Sequence, residues 1–175
     1  MPRPSHTKTF SHFMSQIPTA VSVVTAGPPE NMRGMTVGSL TRVSTDPELL
    51  MMVLEAGSSL RSHIVHLLSN GQEVPLGISV LTERQRPMAE HFANRLNIVN
   101  VQDYFEQFAG ATVLTHSLVQ ISAQLHEQAI EIAGSLLVPM HPVAYRWGLE
   151  QYPAPLVYWA RTWTGIERIP QESGL

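Results

Sequence analysis

The sequence predicts a mainly β protein of the α+β class, folded as a barrel or a sandwich with a few flanking helices. Most of its segments are short, rich in β-branched residues and separated by turn residues. Few segments carry helical spacing, which argues against a doubly wound parallel sheet. The length of 175 residues is enough for one domain with a sizeable core, and the sequence contains no internal repeat.

Composition excludes several kinds of site and partner. The chain has no cysteine, which rules out disulfides, thiolate zinc sites and cysteine nucleophiles. Its formal charge is −3 and Lys8 is its only lysine, so it lacks the cationic face that nucleic acid requires. No apolar segment approaches the roughly 20 residues that span a bilayer. We therefore expect no nucleic-acid or membrane partner, and a cytoplasmic location.

The domain organisation expected is a single domain over residues 1–175, with about eight flexible residues at each end. Charged residues make up only 14% of the chain and hydrophobic residues 43%. This leaves more apolar surface than a monomer of this size needs, so a homodimer is predicted.

The N-terminal residues predict one helix and one strand. Residues 5–16 carry apolar side chains at helical spacing from Phe10 onward, with Ser5 as a candidate cap. A short helix with one packed apolar edge is expected, and Pro18 ends it. The run AVSVVT over residues 20–25 predicts the first strand.

Residues 33–54, RGMTVGSLTRVSTDPELLMMVL, form the most distinctive stretch. Apolar residues alternate with small and hydroxyl-bearing ones from Met35 to Ser44, which predicts one strand with a hydroxyl-lined edge. Asp46 and Pro47 break the pattern, and a buried strand follows. Such a hairpin could bind a phosphate or the edge of a heteroaromatic ring. An ordinary hydroxyl-rich hairpin has the same pattern.

The segment LRSHIVHLLS over residues 60–69 predicts a helix that Ser58 or Ser59 can cap. Its N-terminus, beside Arg61, could bind an anion, as could the end of nearly every helix. LGISVL over residues 76–81 then predicts a buried strand.

Thr82 is predicted to cap a helix over residues 83–94, and the aromatic-rich residues 98–108 form a lid or a connector. Further strands are predicted over residues 113–116, 118–125, 129–138 and 143–147. The tail PAPLVYWARTWTG supplies a final strand. Its aromatic residues and Arg161 either pack the barrel or face a planar or anionic ligand.

The remaining candidate chemistry is weak. His63 and His66 lie three residues apart on one predicted helix, but no third ligand has a matching spacing, so no metal site is expected. His126 and Glu127 are adjacent, but no further metal-ligating residue has a matching spacing to them. The sequence contains no GxSxG elbow, P-loop or GxGxxG fingerprint, which excludes serine hydrolysis and phosphoryl transfer.

Four segments together resemble the flavin reductase-like family, the FMN- or FAD-binding split-barrel proteins that serve two-component monooxygenases. The stretch 33–54 is similar to the family signature Gly-Met-Thr-x-x-Ser-x-x-x-Val-Ser-x-Asp-Pro. FSHFMSQIPTAVSVVTA, LGISVLTERQRPMAEHFANR and PLVYWARTWTGI resemble its opening, its central strand and helix, and its closing strand. The resemblance covers about residues 10–166.

The resemblance implies an antiparallel six-stranded split barrel of the FMN-binding type, dimeric, with FAD or FMN as flavin and NADH or NADPH as hydride donor. The residues that it places at the flavin are Met35, Thr36, Val37, Gly38, Ser39, Leu40, Ser44, Thr45, Asp46, Ser58, Ser59, Arg61, Phe92 and Ala93. The candidates for the nicotinamide side are His126, Gln128, Tyr158 and Arg161.

One departure from the family pattern concerns the nicotinamide side. Family members commonly carry Gly-Asp-His where this chain reads His126-Glu127-Gln128, and Ala133 takes a usual glycine position. The resemblance implies an NAD(P)H-dependent flavin oxidoreductase that supplies reduced flavin to a partner monooxygenase. The alternatives are a split-barrel flavoprotein that holds its flavin tightly and acts on a small molecule, and a non-catalytic flavin-binding dimer.

Overall fold

The computed structural model describes residues 9–125, 129–148 and 153–166. Within these ranges the α-helices are α1 (Phe10–Met14), α2 (Ser59–Ser69) and α3 (Arg86–Phe92). The strands are β1 (Thr19–Ala20), β2 (Ser22–Ala26), β3 (Arg33–Val37), β4 (Thr41–Thr45), β5 (Glu48–Leu54), β6 (Pro75–Val80), β7 (Phe105–Phe108), β8 (Ala111–Leu114), β9 (Val119–Leu125), β10 (Ile130–Ile132), β11 (Ser135–Trp147), β12 (Leu156–Trp159) and β13 (Thr162–Gly165). The predicted mainly β class is confirmed.

The main sheet is antiparallel, with the strand order β3-β2-β6-β9-β11-β5-β4 and β10 paired to β11. β3 and β4 stand at opposite ends of this order, yet only residues 38–40 connect them. A connection of that length spans at most about 14 Å, whereas the outer strands of a flat seven-stranded sheet would lie about 29 Å apart. The sheet must therefore curl until its edges meet, which makes it a split barrel.

Two apolar clusters fill the molecule. The first joins the inner face of the barrel to one side of α2 and includes Met52, Leu54, Leu60, Ile64, Ile78, Val138 and Met140. The second packs α3 against the neighbouring strands and includes Val21, Leu81, Met88, Ala89, Leu114 and Leu156. α2 forms as predicted: the Ser58 hydroxyl accepts the Arg61 backbone N–H at 3.1 Å, and Leu60 and Ile64 are buried.

The hairpin of β7 and β8 covers the outer face of the barrel and gives the polar side chains of β9 their partners. Ser122 Oγ donates to the Ala109 carbonyl at 2.9 Å, and Gln120 Nε2 donates to the Leu114 carbonyl at 2.8 Å. Both side chains are buried. Polar residues alternate with apolar ones along β9, as the sequence indicates, but both faces of this strand are covered.

The N-terminal helix is shorter than predicted, and the prediction of a packed apolar edge is wrong. α1 begins at Phe10, and Ser5 lies outside the described residues. Phe10 and Phe13 are 80% and 60% exposed. This segment is held instead by its end, where the Gln16 carbonyl accepts the Trp159 Nε1–H at 3.0 Å.

The strand predicted over residues 20–25 is divided at Val21. β1 pairs with β12, whereas β2 pairs with β3 and β6. The Val21 N–H donates to the Leu156 carbonyl at 3.1 Å, and the Val21 carbonyl accepts the Leu81 N–H at 2.9 Å. The chain changes sheets at this residue, which a run of β-branched residues does not reveal.

The prediction of a single strand from Met35 to Ser44 is also wrong, because residues 38–40 cross from one edge of the barrel to the other. The stretch 33–54 therefore supplies three strands, and the main sheet has seven along its path instead of the six that the resemblance implied. The alternation of residue types continues through the crossing, so the break is invisible in the pattern.

The helix predicted over residues 83–94 starts as a 3₁₀ turn, and α3 itself ends at Phe92. Asn94, with a φ of 57°, stops the helix in the left-handed region. The connector predicted over residues 98–108 contains β7, whose partner β8 follows directly.

The strand predicted over residues 129–138 is a hairpin, and its second strand continues to Trp147. Ala133 and Gly134 have φ values of 50° and 81°, the two-residue turn that suits a hairpin. Pro142 does not end β11 because it lies at a bulge in the pairing with β9. In the described parts of the chain, no helix has the length and apolar character needed to cross a membrane.

Candidate flavin site

The candidate site forms beside β3, the edge strand of the main sheet. β3 pairs with β2 on one side only in the described sheet, so alternate backbone N–H and C=O groups point away from β2 without a strand partner. The Phe92 ring at the end of α3 lies over Gly34, where an added Cβ would approach the ring to 2.5 Å. Glycine therefore lets an aromatic ring lie directly against the strand.

A cavity of about 690 Å³, the larger cavity, opens beside the first half of β3. The start of α2, the end of α3 and the loop after α3 complete its walls. It is lined by Met32, Arg33, Gly34, Met35, Gly57, Ser58, Ser59, His91, Phe92, Asn94, Arg95, Leu96 and Asn97. No carboxylate is among these residues, whereas two arginines are.

A second cavity of about 280 Å³, the smaller cavity, continues along the second half of β3. It is lined by Thr19, Val21, Thr36, Val37, Gly38, Glu55, Ala93, Arg95, Tyr158 and Trp163. The Tyr158 and Trp163 ring centroids lie 5.0 Å apart, and Arg95 Cζ lies 5.9 Å from the Trp163 centroid. Arg95 lines both cavities, so the two adjoin at its side chain.

Nine of the residues predicted to contact flavin or nicotinamide line one of these cavities. In the larger cavity they are Met35, Ser58, Ser59 and Phe92, and in the smaller cavity Thr36, Val37, Gly38, Ala93 and Tyr158. The predicted residues that line neither cavity are Ser39, Leu40, Ser44, Thr45, Asp46, Arg61 and Arg161. His126 and Gln128 lie outside the described residues.

Four predicted hydroxyl ligands form hydrogen bonds within the protein, and one of them is Ser58, the cap of α2. Thr36 Oγ1 donates to the Ala89 carbonyl at 2.7 Å, which fixes α3 against β3. Ser39 Oγ accepts the Val53 N–H at 3.0 Å and donates to the Val53 carbonyl at 3.2 Å, which joins the two edges of the barrel. Ser44 Oγ accepts the Asp46 N–H at 3.2 Å in the turn between β4 and β5.

The two arginines predicted for the site are placed differently from expectation. Arg61 Nη1 donates to the Gly134 carbonyl at 2.6 Å, and Nη2 forms an ion pair with Glu131 at 3.2 Å. Its guanidinium therefore holds the turn between β10 and β11. Arg161 is exposed in the turn between β12 and β13, and its Nη2 lies 3.5 Å from Ser11 Oγ.

Sequence reasoning missed the two arginines that do line the larger cavity. Arg33 directly precedes the family signature, and Arg95 follows the Phe-Ala pair after α3, so each is adjacent to a recognised motif. Among the described residues neither guanidinium contacts a carboxylate. Trp163, one of the tail aromatics for which packing and ligand contact were both left open, lines the smaller cavity.

The residues present fit a flavin. Aromatic rings and small residues border the smaller cavity, which suits a flat ring, and the unpaired backbone groups of β3 match the donors and acceptors on its edge. The larger cavity offers a phosphate hydroxyls and two guanidinium groups that contact no carboxylate of the described residues. Within the described ranges no three acidic or histidine side chains gather as a metal site.

Comparison with known proteins identifies the family. The sequence matches the profile of the Flavin reductase like domain over residues 14–167. The chain belongs to this family. Within the Flavin reductase like domain family, it is 26% identical over 164 residues to the 4-hydroxyphenylacetate 3-monooxygenase reductase component of Pseudomonas aeruginosa, covering 90% of this chain and 91% of that protein.

Two further members of the Flavin reductase like domain family are also similar. The NADH-dependent flavin reductase StyB of Pseudomonas fluorescens is 29% identical over 131 residues, which cover 71% of this chain and 73% of StyB. The solved structure of the styrene monooxygenase flavin reductase (SMOB) from Pseudomonas putida S12 superposes with a TM-score of 0.76 at 25% identity, over 92% of this chain and 99% of that one. These relatives are flavin reductases or the reductase component of a monooxygenase, and this chain has the fold of the solved one.

Proposed function

We propose that this protein is a nicotinamide-dependent flavin reductase that supplies reduced flavin to a partner monooxygenase. The observation that carries the proposal is the pair of adjoining cavities along β3, whose walls hold eight of the fourteen residues predicted to contact the flavin. The reductase activities of the related proteins support the reaction class.

The flavin ring would occupy the smaller cavity, between the backbone of Thr36–Gly38 and the aromatic wall of Tyr158 and Trp163. Its phosphate would lie toward the larger cavity, near Ser58 and Ser59. A bound flavin supplies the hydride-accepting chemistry. The protein's own groups orient the ring and exclude water, and no side-chain acid or nucleophile is required.

Of the four candidates for the nicotinamide side, Tyr158 has the strongest support, because it lines the smaller cavity, where the flavin ring would lie. Arg161, His126 and Gln128 remain proposals for this side. FAD or FMN, and NADH or NADPH, are the cofactors to be compared.

We also propose a homodimer. Several large apolar side chains are exposed at the end of β11, where Tyr145 and Trp147 are 62% and 60% exposed. Exposed aromatic pairs of this kind are typical of interfaces.

The proposal is tested by mixing the purified protein with FAD or FMN and with NADH or NADPH, and following the loss of the near-ultraviolet absorbance of the reduced nicotinamide. We expect oxidation that depends on both protein and flavin. Ala93→Leu, which fills the smaller cavity, should raise the KM for flavin, whereas the same change at the exposed Ala56, which lines neither cavity, should not.

Absence of oxidation with either nicotinamide would contradict the reductase proposal. If the protein then retained a yellow flavin through gel filtration, the tightly bound flavoprotein would be favoured. If titrated flavin showed no change in fluorescence, both flavin-enzyme hypotheses would fail, and a dimeric scaffold that does not bind flavin would be favoured.

A further inference from the structure

On the basis of the proposed function, we propose that the larger cavity binds an adenosine diphosphate group, so that FAD rather than FMN is the preferred flavin. FAD and NADH both contain an adenosine diphosphate group, so either dinucleotide could supply this ligand. The larger cavity is assigned to the adenosine diphosphate of FAD.

The two cavities follow one another along β3. Arg33, Gly34 and Met35 line the larger cavity, and the next residues, Thr36–Gly38, line the smaller one. Five residue steps along an extended strand cover about 17 Å. The larger cavity has a volume of about 690 Å³, whereas the smaller cavity, which would hold the flavin ring, has about 280 Å³. A mononucleotide would end at its phosphate and leave most of that space unfilled.

Positive charge is concentrated at the larger cavity and at its junction with the smaller one. Arg95 lies at the junction of the two cavities, where a diphosphate that links a flavin to an adenosine would pass. Its guanidinium is oriented by Trp163, 5.9 Å away, and no described carboxylate neutralises it. Arg33 adds a second guanidinium to the larger cavity alone. The one acidic lining residue, Glu55, borders the smaller cavity.

The loop after α3 gives the larger cavity groups that suit a nucleobase. The side-chain amides of Asn94 and Asn97 can pair with the donor and acceptor atoms on the edge of adenine. Met32 and Leu96 supply apolar surface for the face of the base.

The loop that carries these groups is preformed by hydrogen bonds from its backbone N–H groups to α3. The Arg95 N–H donates to the Glu90 carbonyl at 2.8 Å, and the Ile98 N–H donates to His91 Nδ1 at 3.0 Å. A preformed wall favours binding because less conformational freedom is lost when the ligand enters.

The test is a set of equilibrium titrations followed by flavin fluorescence. The wild-type protein should bind FAD at least about tenfold more tightly than FMN, and ADP should compete with FAD. Arg33→Gln and Asn97→Ala should each weaken FAD binding by about tenfold and leave FMN binding within about twofold. Arg84→Gln is the matched control, because Arg84 is exposed and lines neither cavity. Thermal melting establishes that each variant is folded.

Equal affinities for FAD and FMN, with no competition by ADP, would overturn the inference, and reductase activity with FMN would then leave the proposed function intact. Competition of ADP with NADH in steady-state kinetics, without competition against FAD binding, would assign the cavity to the nicotinamide dinucleotide and also overturn it. Failure of both flavins to bind would overturn the inference and the proposed function together.

Discussion

A single serine joins the two edges of the barrel. Ser39 Oγ makes two hydrogen bonds to the backbone of Val53, at 3.0 and 3.2 Å. Ser39→Ala should lower the free energy of unfolding by about 1–3 kcal/mol, because both half-buried backbone groups lose their partner. In a domain of this size, this corresponds to a fall in Tm of roughly 2–4 °C for each kcal/mol.

Ser44→Ala is the control for this prediction. It removes one hydrogen bond in an exposed turn, to the Asp46 N–H, and should cost less than about 1 kcal/mol. Equal losses of stability in the two variants, measured by chemical denaturation, would contradict a closing role for Ser39.

Tyr145 is the residue whose titration the structure alters most clearly. Its hydroxyl donates to Glu48 Oε1 at 3.1 Å, and this hydrogen bond and the negative charge of Glu48 raise the pKa of Tyr145 above its ordinary value of 10.0. Because the raised pKa belongs to the folded state, the stabilisation is complete below the unfolded pKa and is lost as the pH rises through the folded pKa.

Glu48→Gln removes the charge and should lower the pKa of Tyr145 toward 10.0. An alkaline titration of tyrosinate absorbance should therefore show one tyrosine that ionises at lower pH in Glu48→Gln than in the wild type. Tyr145→Phe identifies that tyrosine by removing its contribution. Superimposable curves for the wild type and Glu48→Gln would disprove the coupling.

At the scale of elements, the hairpin of β7 and β8 depends on close contact with β6. An added Cβ at Gly77 of β6 would overlap the Thr112 carbonyl of β8 and come within 2.8 Å of Thr25 Oγ1. Thr25 Oγ1 also donates to the Thr112 carbonyl. Only glycine leaves room for this approach of two backbones.

Gly77→Ala should therefore push the hairpin away from the barrel and destabilise the fold by about 1–3 kcal/mol. Amide exchange of Phe105–Phe108 and Ala111–Leu114 should accelerate. Gly71→Ala is the comparison, because its φ of 65° is unfavourable for alanine but its Cβ would meet open space. Faster exchange in the hairpin with Gly71→Ala, and none with Gly77→Ala, would contradict the expected contact.

At the scale of the whole molecule, the proposed homodimer is expected to use the exposed end of β11. Tyr145 and Trp147 are two residues apart on one strand and therefore share a face. Trp147→Glu should raise the dissociation constant of the dimer at least about tenfold, because it places a charge in an apolar contact. Sedimentation over a range of protein concentrations measures this.

Phe10→Glu on α1 is the control, since Phe10 is 80% exposed at another part of the surface. It should leave the dissociation constant unchanged. Dissociation caused by Phe10→Glu and not by Trp147→Glu would place the interface on α1 instead.

The candidate site could be predicted only in part from the sequence. The signature strand gave Met35, Thr36, Val37 and Gly38, which line the cavities because β3 is an edge strand with one side free. Arg33 and Arg95 were missed because neither belongs to a periodic pattern. Arg95 reaches the site through a loop, and the path of a loop is decided by what it packs on.

The sequence by itself determined the mainly β class, the cap of α2, the flavin signature and the absence of cysteine chemistry, because these depend on local residue types and spacing. Only the tertiary structure decided that residues 38–40 cross between the barrel edges, that Ser39 joins those edges and that Arg61 holds a turn. It also decided that Arg33 and Arg95, 62 positions apart in the chain, line one cavity. The physical reason is that strand order and closure depend on contacts between distant segments, and residue patterns carry no information about which segments will meet.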